Sequence, residues 1–82
     1  MSRKEKLLTS LRNNPKNVRF KDLDKLLRWY GFECRPPRGG GHYIYKRKGC
    51  RPISIPRDKP VKSVYVKKAL ALIEECGDAV EE

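Results

Sequence analysis

The sequence predicts an α+β domain in which a leading helix precedes an α-β-β-β-α core, and three observations carry that expectation. Leu23, Leu26, Leu27 and Tyr30 recur at i, i+3, i+4 and i+7, one face of a helix. Between Phe32 and Pro56 lie short runs rich in aromatic and β-branched residues, separated by prolines and glycines. After Pro60 the helical period returns through Val66, Ala69, Leu70, Ile73 and Cys76. That order predicts a three-stranded antiparallel sheet with both main helices on one face, leaving the other face open as a platform for a ligand.

Each element has local reasons. Leu7, Leu8 and Leu11 make a short apolar stripe that Asn13-Asn14-Pro15 would stop, predicting one or two turns of helix docked on the rest of the domain. The second helix starts at Phe20, carries Asp22 and Asp24 near its positive end, and stops at Gly31. Trp29 lies off its apolar stripe and is expected to pack against the first helix. Phe32 to Arg35 is the first strand, ended by Pro36-Pro37, and His42 to Lys46 the second. Arg47-Lys48-Gly49 forms a hairpin turn, and Pro52 to Pro56 is a third strand whose prolines suit an edge. Gly77 stops the last helix. The 82 residues thus read as one domain: residues 1–17 a helical extension, 18–77 the core, and 78–82 an acidic tail.

Charge narrows the partners. The formal net charge is +10, from 20 Lys/Arg against 10 Asp/Glu. From Arg28 to Lys59 the only acids are Glu33 and Asp58, whereas Glu74, Glu75, Asp78, Glu81 and Glu82 form a base-free, solvated C-terminal end. A positive field centred on the middle of the chain favours a polyanion, with an acidic protein as the other class of partner. Cys34, Cys50 and Cys76 have neither zinc nor redox spacing, so small half-buried side chains rather than a disulfide framework are expected. No apolar stretch reaches membrane-spanning length and no hydrophobic signal region follows Met1, so a cytoplasmic protein without membrane contact is expected.

The chemistry centres on the single histidine. His42 follows Gly39-Gly40-Gly41 and opens the strand Tyr43-Ile44-Tyr45-Lys46. Histidine suits proton transfer near neutral pH, and glycines let a backbone phosphate approach closely. Arg38, Lys46, Arg47, Lys48 and Arg51 are candidate phosphate contacts, with Gly40 and Gly41 giving access. Alternation places His42, Ile44 and Lys46 on one face and Tyr43 and Tyr45 on the other, but does not decide which face is buried. No acidic cluster in the basic half would hold magnesium, so no metal or other cofactor is expected. Metal-free cleavage is accessible when a neighbouring 2′-hydroxyl serves as nucleophile, which points to RNA. One histidine cannot easily make both proton transfers, so a lysine, a tyrosine or water would supply the second.

These residues also carry a family resemblance. The stretches Phe20 to Leu27, Gly31-Phe32-Glu33, Gly40 to Tyr45 and Ile53-Ser54-Ile55-Pro56, followed by Val61-Lys62 and Val66 to Leu70, resemble the HicA family of toxins. Residues 7–18 resemble an extension seen on some members. The resemblance implies a fold like that of double-stranded-RNA-binding domains and the activity of an mRNA interferase, the toxic half of a type II toxin–antitoxin pair. It implies His42 as the catalytic residue, mRNA as the substrate and a HicB-like antitoxin as the partner covering the basic face. Gly40 matches the glycine of the family's Gly-Ser-His motif. Gly41 stands where serine is usual, and Tyr43 where many members have a second histidine. The alternative expectation is a non-catalytic RNA-binding module of the same fold, contacting phosphates and 2′-hydroxyls.

Overall fold

The computed structural model describes residues 3–37 and 41–77. The expected Arg38, Gly39 and Gly40 and the acidic tail 78–82 lie outside the described residues. Among the described residues there are three helices, α1 (Arg3–Asn13), α2 (Phe20–Trp29) and α3 (Ser63–Cys76), and three strands, β1 (Glu33–Arg35), β2 (His42–Lys46) and β3 (Ile53–Pro56). The sheet is antiparallel in the order β1-β2-β3, so β3 is an edge strand as its prolines suggested. Cys34 faces Tyr45 across the first pair; Tyr43 faces Ile55 and Tyr45 faces Ile53 across the second.

Helix periodicity translates directly into the core. Leu23, Leu26, Leu27 and Tyr30 of α2 and its end are buried, as are Val66, Ala69, Leu70, Leu72 and Ile73 of α3. They meet Tyr45, Ile53 and Ile55 from the inner face of the sheet in one cluster. Gly31 takes φ +89° just past α2, a left-handed conformation that a side chain would strain. Gly49 does the same at φ +84° in the hairpin turn, which the Cys50 N–H closes onto the Arg47 carbonyl at 3.0 Å. Ahead of α3, the Val61 N–H bonds the Val18 carbonyl at 2.9 Å, tying the two helix approaches together.

Two expectations are corrected, on the length of α1 and on the cysteines. Helix α1 runs 11 residues, about three turns rather than one or two, because Leu11 is buried and Leu7 and Leu8 pack on the core. Trp29, expected to pack against the first helix, is 39% exposed, with the Lys25 Nζ 5.7 Å from its ring centre. Cys50 and Cys76 are disulfide-bonded, their Cα atoms 6.1 Å apart, joining the hairpin turn to the end of α3. The 26-residue separation of these two cysteines conceals a contact made only when α3 folds back along β3. Cys34 is a free, half-buried thiol.

One polar chain crosses from the core to the surface. The Tyr45 hydroxyl donates to Asp24 Oδ1 at 2.6 Å, and Arg28 Nε approaches both Asp24 oxygens at 3.1 Å. Asp24 therefore serves the sheet as well as its own helix. Burial, followed by the bond to Asp24 and the neighbouring Cys34, pushes the Tyr45 pKa far above the ordinary tyrosine value. The unfolded chain releases this proton near pH 10, whereas the folded one keeps it. Tyr45 thus contributes its stability below about pH 10 and loses it as pH rises beyond that value. Urea unfolding should show wild type losing more stability than Tyr45→Phe between about pH 9 and about pH 11. At neutral pH, Asp24→Ala should cost about 1–3 kcal/mol by leaving the buried hydroxyl unpaired.

Candidate nucleic-acid interface

The burial of Tyr45 settles the parity of β2. His42, Ile44 and Lys46 are exposed on the outer face, and Tyr43 is half-buried on the inner one. Arg35 lies opposite Ile44, and Glu33 opposite Lys46. On the other side, Ser54 lies opposite Ile44 and Pro56 opposite His42. The outer face is therefore a shallow platform in which exposed Ile44 is ringed by polar and charged groups.

His42 is held on this platform by a residue that sequence reasoning missed. Its Nδ1 lies 3.1 Å from the Ser54 hydroxyl, across the β2–β3 ladder. With Nδ1 so occupied, Nε2 is the ring nitrogen left for a ligand. If the Nδ1–H donates to Ser54, Nε2 is a base; if the Ser54 hydroxyl donates to Nδ1, Nε2–H is an acid. The ring also meets Tyr65, in the first turn of α3, edge-on at 6.3 Å between centroids. One turn further along, the Lys68 Nζ lies 5.9 Å from the Tyr65 ring centre. The alternation Ile53-Ser54-Ile55 marks Ser54 as outward-facing, which was a usable signal for it. Tyr65 and Lys68 had none, since their proximity depends on how α3 docks.

Gly41, just before His42, adopts φ +121°. A Cβ there would make only ordinary contact with Pro37, at 3.8 Å, so a side chain is opposed by backbone strain rather than by lack of space. The hydroxyl beside His42 comes from β3 instead.

Among the described residues, the expected cations Lys46, Arg47, Lys48 and Arg51 are not gathered around His42. Lys46 is four residues along β2, roughly 13 Å away at about 3.3 Å per residue. Lys48 is exposed at the hairpin turn beyond it. Arg47 is half-buried, donating to the Gly77 carbonyl at 2.7 Å with its guanidinium 5.9 Å from the Phe32 ring centre. Arg51 is paired with Glu75 at 2.9 Å. Arg12 is likewise paired with Glu74, at 2.6 Å. Of the expected solvated acidic end, Glu74 and Glu75 therefore partner basic side chains. Both pairs are exposed, so each is weak and can exchange for another anion. Toward the His42 end lie Arg35, opposite Ile44, and Arg57, directly after Pro56 and turned against Phe20 and Tyr43, whereas Lys68 also lines a groove with Arg51, Pro52 and Ile53. The basic residues thus form two groups at opposite ends of the sheet.

Among the described residues no three His, Cys, Asp or Glu side chains cluster so as to hold a metal ion, and no helix is long and apolar enough to cross a membrane. Comparison with protein-family models, with curated proteins and with solved structures finds no match.

Because the Ser54 hydroxyl can bond either tautomer of His42, its expected effect is to fix the ring's orientation, through a net hydrogen bond of about 0.5–1.5 kcal/mol. NMR couplings and ring contacts to Tyr65 should show one dominant His42 side-chain rotamer in wild type and a mixture in Ser54→Ala. Identical spectra would remove Ser54 from any positioning role.

Proposed function

We propose that this protein is a metal-independent endoribonuclease, the mRNA-cleaving toxin of a type II toxin–antitoxin pair. The observation that carries the reading is His42 itself. It is exposed on an open sheet face and oriented through Nδ1 by Ser54, with the Tyr65 ring beside it. The resemblance of this chain to the HicA family supports the same reading.

The chemistry follows from general acid–base catalysis. The 2′-oxygen of a nucleotide attacks its own 3′-phosphorus while the bond from phosphorus to the 5′-oxygen breaks. His42 Nε2 accepts the 2′-hydroxyl proton, and the leaving 5′-oxygen takes a proton from a second group. Tyr65, whose ring lies beside His42, is the protein group best placed to supply it, directly or through water. Arg35, on the outer face opposite Ile44, stabilises charge on the phosphate. Lys46 and Lys48 at the other end of the sheet hold the strand further along, and Arg51 can join them by exchanging Glu75 for phosphate. The products are a 2′,3′-cyclic phosphate and a free 5′-hydroxyl, so atoms and protons balance without a metal.

A toxin of this kind acts in the cytoplasm on mRNA. Its HicB-like antitoxin would cover the basic face and occlude His42.

The test is RNA cleavage by purified protein with EDTA present, paired with growth after induced expression. His42→Ala should lower the cleavage rate by about 10²–10⁴-fold, the usual contribution of a general acid–base group, and relieve growth arrest. RNA that binds but stays intact with wild-type protein would identify a non-catalytic RNA-binding module instead.

A further inference from the structure

A cleft of about 410 Å³ lies where the start of α2 meets the chain that leaves β3. It is lined by Arg19, Phe20, Lys21, Arg57, Lys59 and Pro60. The volume falls within the range of small-molecule sites. Its walls combine an apolar surface, from Phe20 and Pro60, with four cationic side chains. Among the described residues none of the four is in an ion pair, although Asp22 and Asp58 are sequence neighbours. The start of α2 adds to the positive potential, because Arg19 provides no side-chain cap.

The aromatic wall is built rather than incidental. The Phe20 ring rests against Tyr43 with centroids 5.0 Å apart. The Arg57 guanidinium lies 5.7 Å from the Phe20 ring centre and 3.5 Å from the Tyr43 hydroxyl. Tyr43 follows His42 in β2, and Arg57 follows Pro56, the residue paired with His42. The cleft thus adjoins the His42 end of the sheet. Four unpaired cations held around one cavity repel each other, and an anion entering it relieves that repulsion.

We propose that this cleft is a nucleotide subsite: a base lies against Phe20 and Pro60 while its phosphate sits among Arg19, Lys21, Arg57 and Lys59. A flat aromatic ring with a phosphate attached matches the lining, because aromatic–base stacking and arginine–phosphate contacts are both strong there. Placing the subsite on the substrate strand rests on the endoribonuclease reading, whereas nucleotide binding itself does not. In that setting the cleft holds a nucleotide flanking the one cleaved at His42, and supplies the anchor that the distant Lys46 and Lys48 cannot.

Uridine 5′-monophosphate and inorganic phosphate would each be titrated into ¹⁵N-labelled full-length protein. The nucleotide should shift the amides of Arg19, Phe20, Lys21 and Arg57 with saturation, and phosphate alone should bind more weakly. Arg57→Gln, an exposed change compatible with folding, should weaken nucleotide binding about tenfold, and Phe20→Leu should bring it down to the level of phosphate. With RNA as substrate, both variants should raise KM more than they lower kcat. Saturable nucleotide binding with RNA left uncleaved would uphold the subsite while refuting the endoribonuclease reading. Cleavage without localised nucleotide shifts, and indifferent to both substitutions, would refute the subsite and leave that reading intact. Equal affinity for phosphate and nucleotide, or shifts produced by hexaglutamate but not by the nucleotide, would also overturn it.

Discussion

Tyr45 has none of its surface in water, and in a strand of period two that single burial assigns every neighbouring side chain to a face. With Tyr45 inward against Leu23, Leu26 and Leu27, the odd positions of β2 face the core and His42, Ile44 and Lys46 face outward. A one-residue slip would reverse all of them. The bond from Tyr45 to Asp24 reinforces this choice. It gives the buried hydroxyl a partner that only the inward orientation can reach, and Arg28 steadies that partner from the surface. The exposure of His42 is thus secured by the core beneath it.

Upon that platform the site is assembled from three elements. Strand β2 presents His42, β3 presents Ser54, and the first turn of α3 brings up Tyr65. Only the antiparallel register of β2 on β3 makes the Ser54 bond possible, since Ser54 is a diagonal neighbour of His42. The same strand ends lead to Arg57 and the aromatic cleft by the start of α2. Proton transfer and nucleotide anchoring, as proposed, therefore share one end of the sheet. In the same proposal the hairpin turn, with Lys48 and Arg51, would guide the strand at the other. The disulfide-bonded pair of Cys50 and Cys76 joins that turn to α3.

Much of the fold was legible because it is written in local periods. The α2 and α3 stripes, the strand from His42 to Lys46, the Lys48-Gly49 turn and the stops at Gly31 and Gly77 all depend on residues close in sequence. What was not legible depends on tertiary placement. Alternation grouped His42 with Lys46 but could not say which face was buried. The partners of Arg51 and Arg12 are acids of α3, and the contacts of Cys50 and Tyr65 are made by docking of that helix. For the candidate site, sequence proximity suggested cations near Lys46 to Arg51. The sheet sends those to the far end, and it is Arg57 that follows Pro56, the residue paired with His42.

The central claim is that His42 drives attack by a 2′-hydroxyl. The most direct measurement is the chemistry of the ends produced when an RNA oligonucleotide is incubated with the protein in EDTA and the fragments are weighed by mass spectrometry. The account predicts 2′,3′-cyclic phosphate and 5′-hydroxyl ends, with no cut where the nucleotide on the 5′ side of the scissile bond is 2′-deoxy. Fragments ending in 3′-hydroxyl and 5′-phosphate, or cleavage that persists at the deoxy position, would contradict it.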